Sequence, residues 1–241
     1  MKLFVTDYDN TLFIDEINLK INKKKLKELH KLGFIINIST GRSFESIKNQ
    51  VLKYNIYYDY LTCCDGSIIY DNNDKLINFY EMDHYIIDEI LKLKDKTKYE
   101  EIQLSYPLKY KNEYNRNDKI AGINIVVKEE FLNNDFINEF NNLKRKYPNY
   151  GFYIYDHNEY HYFCVKKDNV TKAKGINYLK ELLNINEKDI YVIGDSLNDL
   201  EMIKKYNGVS IISGCKEIIE LSKKSYHHVY EYIDDIIKEI E

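Results

Sequence analysis

The stretch Leu3-Phe4-Val5-Thr6-Asp7-Tyr8-Asp9-Asn10-Thr11 decides how this 241-residue chain reads. Its first four residues are apolar, aromatic or β-branched and do not alternate with polar ones. That is the pattern of a strand covered on both faces, as in a parallel sheet. Working outward, Phe34–Ser39, Tyr60–Cys64 and Ile190–Ile193 repeat it. Helical spacing lies between or after these strands, over Leu19–Leu32, Ser43–Lys53, Thr171–Leu183, Ser196–Tyr206 and Glu231–Ile240. In the first of these helices Ile21, Leu26, Leu29 and Leu32 fall on one face, and Gly33 supplies the stop. Strands alternating with helices predict an α/β fold with a Rossmann-like parallel-sheet core. In such sheets ligands collect at the carboxyl ends of the strands.

The middle of the chain breaks this rhythm. Asp71-Asn72-Asn73-Asp74 is a turn between Ser67–Tyr70 and Lys75–Tyr80, which predicts a hairpin. A helix over 83–94, strands near 101–105 and 120–127, a helix near 133–146 and a second hairpin (Gly151–Asp156 with Tyr160–Val165) come next. This run predicts an inserted α+β domain at 81–165, with residues 1–80 and 166–241 forming the core.

Composition narrows the class. With 35 Lys and Arg against 39 Asp and Glu, the net charge of −4 argues against a nucleic-acid partner. The longest uncharged stretches, Leu32–Gly41 and Tyr206–Cys215, are ten residues, about half of what a membrane helix needs. No signal-peptide pattern precedes Leu3, so a cytoplasmic protein without a membrane partner is expected, as a monomer or small homo-oligomer. Cys63, Cys64, Cys164 and Cys215 show no CxxC spacing and read as small buried hydrophobes in a reducing compartment. The 24 Tyr beside 2 Pro and no Trp go with heavy use of Lys, Asn and Ile, all residues of A/T-rich codons.

Chemistry-bearing residues stand at the end of each core strand. Asp7 and Asp9, at i and i+2 past a buried strand, could divide labour between a nucleophile and an acid/base. An ordinary Asp-rich turn would also account for them. Thr40-Gly41-Arg42 puts a hydroxyl and a glycine where a helix begins, suited to a phosphate oxygen or to a plain N-cap. Asp195 and Asp199 sit four apart at a strand-to-helix junction. They could be hard oxygen ligands for Mg²⁺ or acids facing a helix dipole. Lys172 heads the helix before that strand and could neutralise the acids and bind a phosphoryl oxygen, or simply be solvated.

Taken in order, Asp-x-Asp-x-Thr, Thr-Gly-Arg, a lysine-headed helix and Gly-Asp-x-x-Asn-Asp resemble the haloacid dehalogenase-like hydrolase superfamily. The long insert is similar to the cap of its Cof-like branch, subclass IIB. The resemblance implies a phosphatase for a small phosphorylated metabolite, with Asp7 as nucleophile and Asp9 as general acid and base. It further implies phosphate contacts from Thr40, Gly41, Lys172 and Asn198. Mg²⁺ would be held by Asp7, the backbone carbonyl of Asp9, Asp195 and Asp199, with Asn198 in support. A phosphomutase resembling phosphomannomutase, or a silent phosphometabolite-binding protein, are the alternatives. The chain departs from the family at Asn10, at Cys64-Asp65-Gly66-Ser67 where many relatives have Asn-Gly-Ala, and over Gly208–Gly214.

The insert would act as a lid that selects the leaving group. Its stretch 105–119 carries Lys109, Lys111, Arg116 and Lys119 with Tyr106, Tyr110 and Tyr114. That combination fits recognition of a sugar or second phosphate, or a solvated loop. His157 and His161, spaced HxxxH but on a hairpin, and the His227-His228 pair are expected to hold no metal.

Overall fold

Strand β1 (Lys2–Thr6) has Leu3, Phe4 and Val5 fully buried, so both of its faces are covered. The computed structural model describes residues 1–167 and 169–240, with the side chain of His157 outside that description. Beyond β1 the chain runs through α1 (Glu16–Lys31), β2 (Phe34–Ser39), α2 (Phe44–Lys53), β3 (Tyr60–Cys63), β4 (Ile68–Asp71) and β5 (Leu76–Phe79). It continues through α3 (His84–Leu91), β6 (Glu101–Ser105), β7 (Tyr110–Lys111), β8 (Gly122–Lys128), α4 (Asn134–Lys146), β9 (Tyr150–His157) and β10 (Tyr160–Lys167). The last part comprises α5 (Lys172–Leu182), β11 (Ile190–Gly194), α6 (Leu200–Lys205), β12 (Val209–Ile211), α7 (Lys216–Leu221), β13 (Ser225–Tyr226) and α8 (Val229–Ile240). Two compact units divide the chain: Met1–Ile77 with Thr171–Glu241, and Asn78–Val170.

The first sheet has the order β13-β12-β11-β1-β2-β3-β4-β5. Its strands from β13 to β3 pair in parallel, and β4 returns antiparallel to β3. The α/β class with a parallel core is thus realised. Between β1 and β11 the chain order reverses, because β1 leads outward to β2 while β11 leads the other way to β12. A reversal of this kind opens a crevice at the carboxyl ends of the two strands. Leu3, Val5 and Val192 pack on one face against Ile176, Leu179, Met202 and Ile203 of α5 and α6. Phe4 points the other way, its ring 5.9 Å from that of Tyr232 in α8.

The differences from expectation are local. Helix α1 starts at Glu16, earlier than Leu19, because the Asp15 side chain accepts from the Asn18 N–H and caps it. Ile21 and Leu32 are exposed, and Asn22 is buried in Ile21's stead. The Asn22 amide donates to the Leu12 carbonyl and accepts from the Tyr230 N–H, both at 2.9 Å. A buried polar side chain bridging two segments has thus taken an apolar position. The helix expected over Ser196–Tyr206 begins with a 3-10 turn at Leu197–Asp199 before α6. Strands β12 and β13, of three and two residues, are too short to stand out in a sequence pattern.

In the second unit, which contains the expected insert 81–165, a sheet of order β7-β6-β8-β10-β9 is antiparallel throughout the pairings described. Its core joins Ile86, Ile87 and Ile90 of α3 and Phe136 and Phe140 of α4 to the sheet. Phe136 and Phe140 meet Phe163 edge-on at centroid distances of 4.7 and 5.0 Å. The loop beyond β6 is tied both to itself and to the segment around α3. Arg116 pairs with Asp88, Lys119 with Glu81 at 2.9 Å, and the Lys111 ammonium lies 4.2 Å from the Tyr106 ring centroid. Tyr106, Lys111, Glu113, Tyr114 and Arg116 line an open hollow of about 550 Å³ there.

Candidate active site

Five of the residues singled out from sequence cluster at the carboxyl ends of β11, β1 and β2 and the start of α5. Asp7 comes directly after β1, Thr40 after β2, Asp195 and Asp199 after β11, and Lys172 opens α5. Lys172 is fully buried and donates to Asp7 Oδ1 at 2.5 Å and to Asp199 Oδ1 at 2.6 Å. Buried ammonium groups persist only when paired in this way. Burial opposes its charge, but Asp199, Asp7 and Asp65 together outweigh that and hold its pKa above the ordinary lysine value.

Asp199 is held by the start of its own segment. Its Oδ2 accepts from the backbone N–H of Asp195 and of Ser196, at 3.0 and 3.1 Å, which closes a capping box. Gly194 permits this fold-back, because a Cβ there would lie 2.5 Å from the Asp199 carboxyl carbon. Asp195 accepts from the buried Thr11 hydroxyl at 2.6 Å.

Carboxylate oxygens of Asp7, Asp195 and Asp199 all lie within 4.8 Å of one another. Burial pushes the Asp7 carboxyl well above its ordinary range, the Lys172 charge only partly countering it. Burial likewise pushes Asp195 up to about 6. Three buried acids sharing one lysine are thus costly to ionise together. A divalent cation removes that cost, and hard oxygen donors suit Mg²⁺. The donor set therefore fits a small hard cation.

Asp9 occupies a different environment. Its side chain is 46% exposed where that of Asp7 is 6%. The Arg42 guanidinium grips both of its oxygens, Nε to Oδ2 and Nη2 to Oδ1, each at 2.7 Å. Thr40 is buried and its Oγ1 accepts from the Arg42 N–H at 3.2 Å. Asn198 donates to Asp65 Oδ1 at 2.8 Å and accepts from the Ser196 hydroxyl at 2.8 Å. Gly41 lies against that same Asp65 oxygen.

Sequence reasoning passes over Thr11, Arg42 and Asp65 as site residues. The first two stand inside the quoted motifs, and Asp65 stands in an Asp-Gly pair, itself a turn signal. His161 bonds Asp156 at 2.7 Å, and His157 lies outside the described side chains. Among the described residues no histidine joins a metal-capable group. The four cysteines are free, three of them buried.

A haloacid dehalogenase-like hydrolase family model matches residues 4–107 and 85–232. The chain belongs to that family of hydrolases. It is 27% identical, over 85% of its length and 81% of the relative's, to the 5-amino-6-(5-phospho-D-ribitylamino)uracil phosphatase of Bacillus subtilis. It is 24% identical, over 99% of its length and 96% of the relative's, to phosphoglycolate phosphatase 1 of Saccharolobus solfataricus. Among solved structures, a haloacid dehalogenase-like hydrolase from B. subtilis superposes with a TM-score of 0.79 at 16% identity, covering 97% of this chain and 99% of the other.

Proposed function

We propose that this chain is a Mg²⁺-dependent phosphatase that hydrolyses small phosphorylated metabolites through a phosphoryl group carried on Asp7. The observation that supports it most is Lys172, fully buried and bonded at once to Asp7 and Asp199 beside Asp195. Such a cluster serves little structural purpose, since buried ion networks are weak contributors to stability. It does suit a reacting centre that must receive a phosphate dianion.

Asp7, Asp195 and Asp199 would hold Mg²⁺, which supplies charge neutralisation for the incoming phosphate. An Asp7 carboxylate oxygen attacks phosphorus as the bond from phosphorus to the leaving oxygen breaks. Asp9 gives its proton to that oxygen. Asp9 then takes a proton from water, whose oxygen attacks phosphorus and breaks the bond to Asp7, leaving inorganic phosphate and the original carboxylate. Lys172 and Thr40 steady the phosphoryl oxygens. To act, Asp9 must turn at least one oxygen away from the Arg42 fork, which occupies both. Selection of the leaving group by the inserted unit, and a cytoplasmic location in keeping with the free cysteines, complete the proposal.

Purified protein with MgCl₂ should release phosphate from an aryl phosphate and from members of a phosphometabolite panel, and lose that activity in EDTA. No release from any ester with MgCl₂ present would refute the proposal.

A further inference from the structure

The loop after β3 reaches every residue on the phosphate side of this site. Cys64 and Asp65 take left-handed backbone, at φ 50° and 49°, and Gly66 comes next at φ +100°. Asp tolerates that conformation better than most residues, whereas Cys holds it only where its surroundings fix it. Here the Asp65 N–H donates to the Thr40 carbonyl and the Cys64 N–H to the Arg42 carbonyl, both at 3.0 Å. Gly66 sits so close to the start of α5 that a Cβ would fall 2.1 Å from the Thr171 carbonyl oxygen.

The Asp65 carboxylate is the charged centre of this loop. Its Oδ1 accepts from Asn198 Nδ2 at 2.8 Å, and a Cβ on Gly41 would lie 3.0 Å from the same oxygen. Asp65 is also one of the three acids whose charge acts on Lys172. One carboxylate therefore adjoins Gly41, holds Asn198 and is felt by Lys172, while its backbone anchors Thr40.

We propose that Asp65 sets how tightly the site retains phosphate: its carboxylate fixes the Asn198 amide and puts a negative charge beside the phosphoryl pocket, so that inorganic phosphate is bound weakly and leaves readily. This rests on the phosphatase reading of the site. The physical reason is like-charge repulsion in partly buried surroundings, where it is only weakly screened. A charge that disfavours bound phosphate in substrate and product complexes alike raises KM and the phosphate dissociation constant. It leaves the chemical step largely as it was. The bond to Asn198 has a separate consequence, because losing it frees an amide at the pocket wall.

The two effects separate in two variants. Asp65→Asn keeps the size, an acceptor oxygen for Asn198 and a residue that tolerates left-handed backbone, and removes only the charge. Asp65→Ala removes the acceptor as well. Calorimetric titration with inorganic phosphate in MgCl₂ should show about tenfold tighter binding to Asp65→Asn than to wild type. KM for an aryl phosphate should fall in parallel. Asp65→Ala should bind phosphate tightly too but lose kcat. Unchanged or weaker phosphate binding in a folded Asp65→Asn protein overturns the proposal, whatever its melting temperature. Should wild type release no phosphate from any ester and yet show the tenfold difference in titration, the phosphatase reading fails and the role of Asp65 stands. Should wild type turn over normally with no such difference, the role of Asp65 fails alone.

Discussion

The acid cluster at the ends of β1 and β11 and the 105–119 loop of the inserted unit are both rich in charge, but they handle it in opposite ways. In the cluster, Asp7, Asp199 and Lys172 have side chains no more than 6% exposed and share hydrogen bonds. In the loop, Arg116 and Lys119 are 74% and 70% exposed, and each meets a single acid. Removing water makes the first set interdependent, because no member can lose its partner without leaving a buried charge. Solvent keeps the second set independent, each pair contributing ~1 kcal/mol or less. Isolation of charge from water, more than its density, thus distinguishes the buried cluster from the exposed loop.

Breaking the cluster should therefore have the largest effect. Lys172→Met leaves Asp7 and Asp199 facing each other without a cation, and should cost about 3–5 kcal/mol of stability together with turnover. Thermal unfolding should show a fall of roughly 6–20 °C, smaller when MgCl₂ is present, since a bound cation takes over part of the lysine's role. A melting temperature within a degree of wild type would mean that the two acids do not depend on it.

Acidity sharpens the same contrast at intermediate size. The Asp195 carboxyl is raised in the fold to about 6 from 3.8, so its protonated form is favoured there. The stability it contributes is complete below pH ~4 and is lost as pH rises through about 6, by at most ~3 kcal/mol. Asp7, also raised, acts in the same direction. In EDTA, wild type should therefore lose more stability than Asp195→Asn between pH 4 and 7, and MgCl₂ should shrink that difference. Equal slopes for the two proteins would contradict the burial argument.

The smallest effect belongs to the loop. Arg116→Ala and Lys119→Ala should each shift the melting temperature by no more than a few degrees, and denaturant titration should find changes of about 1 kcal/mol or less. A loss as large as that of Lys172→Met would erase the distinction between the two regions.

The same physics decides how much of the molecule is legible in its sequence. Strand ends are visible because buried parallel strands are uninterrupted apolar runs, and the residues just past them line the crevice. Asp7, Thr40 and Asp195 stand just past such strands and Lys172 heads a helix; local pattern leaves a plainer reading open for each, and it is their order along the chain that resembles the family. Partnerships across the fold are not visible: that Arg42 closes on Asp9, that Thr11 reaches Asp195, or that Asp65 holds Asn198. These contacts join residues 33, 184 and 133 positions apart, and no local periodicity records them. Asn22 misleads for a related reason, since its two backbone partners lie outside its own helix. In the inserted unit the elements are legible from turn chemistry and helical spacing. The fate of its cations is not, since each pairing depends on a tertiary neighbour.

On the proposed mechanism Asp7 carries the phosphoryl group in the course of turnover. Asp9→Asn, given an aryl phosphate whose leaving group needs no proton, should still transfer the phosphoryl group but activate water poorly, so the intermediate should accumulate. Rapid acid quench in MgCl₂ and then peptide mass mapping should find one phosphoryl group on the peptide bearing Asp7. Steady phosphate release with that peptide never modified, or with full activity retained in Asp7→Asn, would contradict the account.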